Sequence, residues 1–196
     1  MVTPSEVITY WVDEVGPKGW YAGGDELDVQ VRARFEAAWY DAQDGAYGLW
    51  LTSPHDALAY LILTDQFPRN MFRDTATAFA SDASARAAAK GAIDRQWDLR
   101  MPEPERQFFY LPLMHSENLV DQDRCVRLMC ARLVDTGADN LRHACAHRNV
   151  IRRFGRFPTR NKALGRVPTA AEGAWLVDGG YALALREVDA DALPAR

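Results

Sequence analysis

Apolar residues recur along this chain at intervals of three and four and almost nowhere in strict alternation, so the pattern predicts helices and no strands. Val7, Ile8, Trp11, Val12 and Val15 form the first such series. Thr3, Pro4 and Glu6 ahead of it have the form of a capping box with proline at the first helical position. A second helix is predicted from about Asp25 to Gln43, with Leu27, Val31, Phe35, Ala38, Trp39 and Ala42 on one side. A third starts at Ser53 and Pro54, and its stripe of Leu58, Leu61 and Ile62 runs into Asp65. A carboxylate therefore falls where the next core residue belongs.

A fourth helix is expected over about Thr75 to Trp97, rich in alanine and so open to close approach by a neighbour. A fifth is expected over about Ser116 to Leu133, with Ser116 as its cap and Leu119, Val126, Met129, Cys130 and Leu133 on its buried face. Gln122 lies on that face too, and His115 stands one turn before it. The next helix, about Asp139 to Phe154, carries Val150, Ile151 and Phe154 on a face that continues backward through His147 and His143. After the glycine- and proline-punctuated "GRFPTRNKALGR", Thr169 and Glu172 form a second capping box for a last short helix.

Seven or eight helices with short connections predict an all-α domain of packed antiparallel helical hairpins. The length, 196 residues at 48% hydrophobic content, suits one helical domain with a core over about 4–177 and a short tail over 178–196. No functional reading attaches to that tail. No window approaches the roughly 18 apolar residues that span a bilayer, and the first residues lack a basic region before an apolar stretch, so a cytoplasmic protein is expected. Cys125, Cys130 and Cys145 are odd in number and lack CxxC spacing, which predicts buried, reduced thiols.

Charge is where the sequence becomes informative. The net formal charge is −4, yet Arg148 to Arg166 contains seven basic residues and no acid. Such a run either binds an external anion or pairs with the protein's own carboxylates.

The segments "LAYLILTDQFPRNMFR", "AFASD", "FFYLPLMHSENLVDQ" and "HRNVIRRFGRFPTRNKALGR" together resemble the bacterial domain-of-unknown-function family 924, in that family's order and over about residues 28 to 176. The resemblance implies an all-helical, tetratricopeptide-like arrangement of antiparallel helix pairs, and it brings no activity with it. One position departs from the family's usual motif: Thr159 stands where a histidine is expected, so chemistry needing an imidazole at that position is not expected here.

Buried ions require partners, because an unpaired one costs several kcal/mol. The candidates for a common polar pocket are Asp65, Gln66, Arg69, Arg73, His115, Glu117, Gln122, His147, Arg153, Arg156 and Arg160, with Asn161 beside the last. In it Arg69, Arg156 and Arg160 would offer planar forks to a carboxylate or phosphate, and Asp65, His115, Glu117 and His147 are the candidate acid–base groups. The opposing reading is that Asp65 and Glu117 already neutralise these arginines in a network that docks helices and turns.

Other chemistries find less support. His143 and His147 share a helix face, but Ala144 occupies the place of the glutamate in HExxH, and a third ligand would have to come from His115 or Glu117, so no metal is expected. Neither a Walker loop nor GxGxxG nor GxSxG occurs, so no cofactor is expected. "RRFGRFPTR" has the composition of a nucleic-acid contact, but Phe154 continues a core stripe and the pI is near 5.6, which argues against that partner. A small anionic ligand, or a protein partner on a helical-hairpin scaffold, remains as the expected class of function.

Overall fold

The structure is a computed structural model that describes residues 1–191; positions 192–196 of the expected tail lie outside the described residues. The described residues form helices and turns with no strand, an all-α fold. They group into two compact units, the first over Met1–Pro112 and the second from Leu113 onward.

In the first unit, α1 (Pro4–Ile8) opens with the predicted capping box: Thr3 Oγ1 accepts from the Glu6 N–H, and the Glu6 carboxylate accepts from the Thr3 N–H at 2.7 Å. The helix then widens into π-helical turns over Thr9–Val15 and ends in α2 (Gly16–Gly19). The long α3 (Asp25–Gln43) buries Val31, Phe35, Ala38, Trp39 and Ala42, the face its spacing predicts. Ser53 caps α4 (Pro54–Leu61) by accepting from the Asp56 N–H at 3.2 Å. π-Helical turns over Ile62–Gln66 follow, and α5 (Phe67–Met71) completes the segment. Every residue from Ala57 to Pro68 is buried, so this segment is the unit's centre, covered all round rather than presenting one stripe. It has α1 and α6 as neighbours of α4, and α3 against α5.

The aromatic core closes on the same segment. Phe67 stacks on Phe35 with centroids 4.6 Å apart, and Tyr10 and Trp11 meet Phe67 edge-on. The alanine-rich stretch is shorter than predicted, with a 3₁₀ turn over Ala76–Phe79 and then α6 (Asp82–Asp94). The break has a local cause: buried Ser81 donates to the Thr64 carbonyl and accepts from Trp39 Nε1 at 2.9 Å, which ties the chain down just before α6. Ala85, Ala89 and Ala92 are then buried along α6, whose small side chains admit α4. A short α7 (Leu111–Met114) carries the chain onward.

In the second unit, α8 (Leu119–Arg132) and α9 (Ala138–Phe154) pack as a hairpin. The cap of α8 is Asn118, whose Oδ1 accepts from the Val120 N–H at 2.9 Å, and not Ser116, whose hydroxyl donates to Asp121 at 2.8 Å. Cys125 and Met129 are buried on α8 as expected; Cys130 is exposed and Cys145 partly buried, so only one of the three thiols is fully interior. α9 stops at Gly155, which takes the left-handed conformation (φ 69°) that glycine adopts without steric penalty, its N–H bonded to the Ile151 carbonyl. α10 (Ala170–Val177) has the second predicted capping box, Thr169 with Glu172. The stretch read as a tail contains α11 (Tyr181–Asp191), which packs along α9 and shares a core of Ala146, Val150, Ile151, Phe157, Trp175 and Ala184.

Candidate functional site

Asp65, Gln66, Arg69 and Arg73 belong to the first unit and the other candidates to the second. Within their units Arg69, Arg73, Arg153, Arg156 and Arg166 meet acids of the same unit.

In the first unit the π-helical turns shift the side chains that follow α4 out of ordinary helical register, a distortion that recurs at functional sites. Asp65 is 1% exposed. Gln66 Nε2 donates to its Oδ2 at 2.5 Å, and Arg69 Nη2 lies 3.5 Å from its Oδ1. Arg69 also donates from both Nη atoms to Asp82 Oδ1 at 3.0 Å and from Nη1 to the Ala78 carbonyl at 3.1 Å. Arg73 forks onto Asp28 at 2.8 and 2.9 Å, and Asn70 donates to the same carboxylate at 2.9 Å. Burial pushes the Asp28 carboxyl up, but the hydrogen bonds from Arg73 and Asn70 outweigh it and hold the group below the usual carboxylate range. Asp28 and Asp82 are partners that periodicity alone did not single out, since both sit where a surface acid is ordinary.

In the second unit two acid–arginine forks fasten the chain between Gly155 and Thr169. Arg166 donates to both oxygens of Glu117 at 2.8 and 3.0 Å and to the Phe157 carbonyl at 3.0 Å, while the Phe157 N–H donates to Glu117 at 2.8 Å. Burial raises the Glu117 carboxyl, but Arg166 and the Phe157 N–H outweigh it and leave it below its ordinary value. Arg156 donates to both oxygens of Glu172 at 2.6 and 2.7 Å. That fork, helped by the Thr169 N–H, holds the Glu172 carboxyl at about 2. Buried Asn161 donates to Glu172 at 3.4 Å, and its carbonyl accepts the Arg166 N–H at 2.8 Å. Gln122 is wholly buried, with Nε2 donating to the Met114 and Ser116 carbonyls at 2.6 and 2.7 Å. Arg153 is half exposed, above the Phe154 ring and 3.8 Å from Glu187.

Arg160 and His147 meet at one aromatic ring, and His115 joins them through its backbone carbonyl. The Arg160 guanidinium lies over Phe157, 4.7 Å from its centroid, and Nη2 donates to the His115 carbonyl at 3.0 Å. The His147 ring meets Phe157 edge-on at 5.3 Å and Tyr181 at 4.8 Å. His147 Nδ1 lies 2.9 Å from the His143 carbonyl and 2.9 Å from Tyr181 Oη, and Tyr181 Oη lies 2.7 Å from His143 Nδ1. A carbonyl oxygen can only accept, so Nδ1 of His147 carries the ring proton and Nε2 the lone pair. Burial is the main reason the His147 pKa falls to about 3, with the charges of His115, His143 and Arg160 adding to the effect. Burial pushes the Tyr181 hydroxyl upward, so it is a neutral donor and acceptor. Cys125 is likewise driven up by burial and is no nucleophile at neutral pH.

Tyr181 is the residue that sequence reasoning missed, because it follows a pair of glycines in a segment with weak periodicity. Glu172 and Arg166 were legible only as a cap and as part of the basic run. Among the described residues no group of three or more histidine, cysteine, aspartate or glutamate side chains could hold a metal ion. No helix among them is long and apolar enough to cross a membrane.

A fully helical chain with internally paired arginines and a histidine–tyrosine cluster defines a class by architecture, not by reaction. The chain belongs to a family of bacterial proteins of unknown function, DUF924, whose profile matches residues 7–180. It is similar to the solved structure of a protein of unknown function from Agrobacterium tumefaciens, with 37% sequence identity and a TM-score of 0.84 over 90% of this chain and 97% of that one. No curated protein matches the chain.

Proposed function

We propose that this protein binds a small anionic ligand, a carboxylate or a phosphate, at the second unit's group of Arg160, His115, His147 and Tyr181. The observation that carries this reading is the gathering of a guanidinium, a neutral imidazole and a tyrosine hydroxyl beside Phe157. A planar guanidinium suits carboxylate and phosphate oxygens, and the bare Nε2 of neutral His147 can accept a hydrogen bond from a protonated oxygen of the same ligand. Arg156 and Arg166 take the structural role in this reading. Both oxygens of Glu172 and of Glu117 already occupy them, so they hold the turn that presents Phe157 and Arg160.

Thermal unfolding against inorganic phosphate and small dicarboxylates at matched ionic strength tests the proposal. At one hundred times Kd, binding to the native state adds about 2.7 kcal/mol, enough to raise the midpoint by several degrees in a chain of this size. Arg160→Gln should abolish the rise. No response to either anion class in the wild-type chain would sink the reading.

The second reading is a protein-interaction scaffold in which the ion network is structural. Two observations favour it: the internal pairing of Arg69, Arg73, Arg156 and Arg166, and a groove of about 440 Å³ in the first unit between Tyr60 on α4 and Ala88 and Gly91 on α6.

A further inference from the structure

The cluster around Tyr181 contains a directed chain of hydrogen bonds whose two ends differ in charge environment. At the inner end, His147 Nδ1 lies 2.9 Å from both the His143 carbonyl and Tyr181 Oη, so its one proton is shared between two oxygens. Tyr181 has one proton, and with its oxygen accepting from His147 that proton is directed to His143 Nδ1 at 2.7 Å. His143 therefore keeps its own proton on Nε2, which faces Asp139 at 3.6 Å. The order is Asp139, His143, Tyr181, His147, running from an exposed carboxylate to a partly buried imidazole. Among the described residues Nε2 of His147 makes no hydrogen bond.

We propose that His147 Nε2 is a proton-accepting atom and that Tyr181 relays the accepted charge to His143, where Asp139 faces it. The balance closes without electrons or a co-reactant. An incoming proton forms an N–H bond at His147 Nε2; the Nδ1–H bond of His147 breaks as Tyr181 Oη gains that hydrogen; Tyr181 gives its own hydrogen to His143 Nδ1. His147 ends neutral as the other tautomer, Tyr181 is unchanged, and His143 ends as the imidazolium. One proton enters and one positive charge appears on His143.

The charged neighbours give the transfer its direction. The charges of His115, in the segment before α8, and of Arg160, in the turn after α9, act against a positive charge on His147. A positive charge left there would stand beside a guanidinium. His143 has Asp139 on its own helix, and around Tyr181 lie Arg142 and Asp139, with Arg142 itself forked onto Asp189 of α11 at 2.6 and 2.8 Å. Moving the charge outward thus exchanges an arginine neighbour for a carboxylate.

This inference rests on the reading of the second unit as a ligand site only for the source of the proton; the relay itself is tested without a ligand. The full chain labelled with ¹⁵N at histidine is followed by long-range ¹H–¹⁵N spectra across pH, with His143→Gln and His147→Gln for assignment. Near neutral pH, His147 is expected with Nδ1 protonated and Nε2 bare. On acidification the nitrogens of His143 and His147 are expected to shift together, because the Tyr181 proton is shared between them. Tyr181→Phe should abolish that coupled shift. A His147 found as the Nε2–H tautomer near neutral pH in the wild-type chain overturns the proposal even if Tyr181→Phe does not fold. So does a His147 shift that survives Tyr181→Phe. Failure of phosphate to bind leaves both outcomes readable, so the two readings fail separately.

Discussion

Arg156 and Glu172 meet as a bidentate pair, with Nε and Nη2 each donating to a different carboxylate oxygen at 2.6 and 2.7 Å. Glu172 is simultaneously the third residue of the capping box of α10, accepting from the Thr169 N–H at 2.6 Å. One carboxylate therefore fixes both where α10 begins and where the turn after α9 runs.

Arg156→Ala should lower the thermal midpoint, because the 2% exposed Glu172 would keep its burial and lose its fork. The midpoint rise caused by an anion, however, should survive in this variant. A midpoint unchanged from wild type would remove the structural role assigned to the pair.

Gln122 supplies a second contrast. Gln122→Leu leaves the Met114 and Ser116 carbonyls without their donor and should cost about 1–3 kcal/mol in denaturant unfolding. Gln122→Glu should cost more, since an ionised carboxylate would then face carbonyl oxygens. Equal losses for the two variants would mean that the amide's donor role is not what the fold needs.

In the first unit, Arg69→Ala removes the guanidinium that joins Asp65, Asp82 and the Ala78 carbonyl. Loss of a partner to a buried charge predicts destabilisation of about 3 kcal/mol, with a smaller loss for Arg69→Lys, which keeps the charge without the planar fork. A lysine variant as unstable as the alanine variant would show that geometry, not charge, decides.

Acid should destabilise the protein in two separable stages. His147 falls to about 3 in the folded chain from 6.5, so below 6.5 the unfolded chain binds a proton that the folded one refuses. Its contribution is complete above about pH 6.5 and is lost as pH falls toward 3, with a slope of at most about 1.4 kcal/mol per pH unit. Glu172, lowered to about 2 from 4.5, contributes above 4.5 and loses that contribution as pH falls toward 2. Urea unfolding at a series of pH values should show His147→Gln flattening the slope between about 6.5 and 4.5. Glu172→Gln should act only below that window.

Helices were legible wherever apolar spacing and capping coincided. Asp25–Gln43 and its buried face follow from period alone, and Thr3 with Glu6 and Thr169 with Glu172 mark their helix starts. The Asp65 anomaly was legible too, but not its cause: a segment buried on every side, with π-helical turns, has no stripe from which to read a register. Ser116 was misread as a cap because a serine before an apolar run satisfies the local rule, whereas its hydroxyl is drawn to Asp121 and Asn118 takes the capping role. For the site, the sequence supplied the arginines and histidines but not their pairing. Whether an arginine meets Glu172 or a ligand depends on contacts 16 residues apart, and Tyr181 reaches its histidines across 34 and 38 residues. Local patterning carries no record of such contacts.

The most direct test of the ligand site is calorimetric titration of the wild-type chain, Arg160→Gln and Arg156→Ala with the anion that raises the thermal midpoint most. The account predicts saturable binding in the wild type and in Arg156→Ala, and its loss in Arg160→Gln. Binding lost with Arg156 but retained without Arg160 would contradict it.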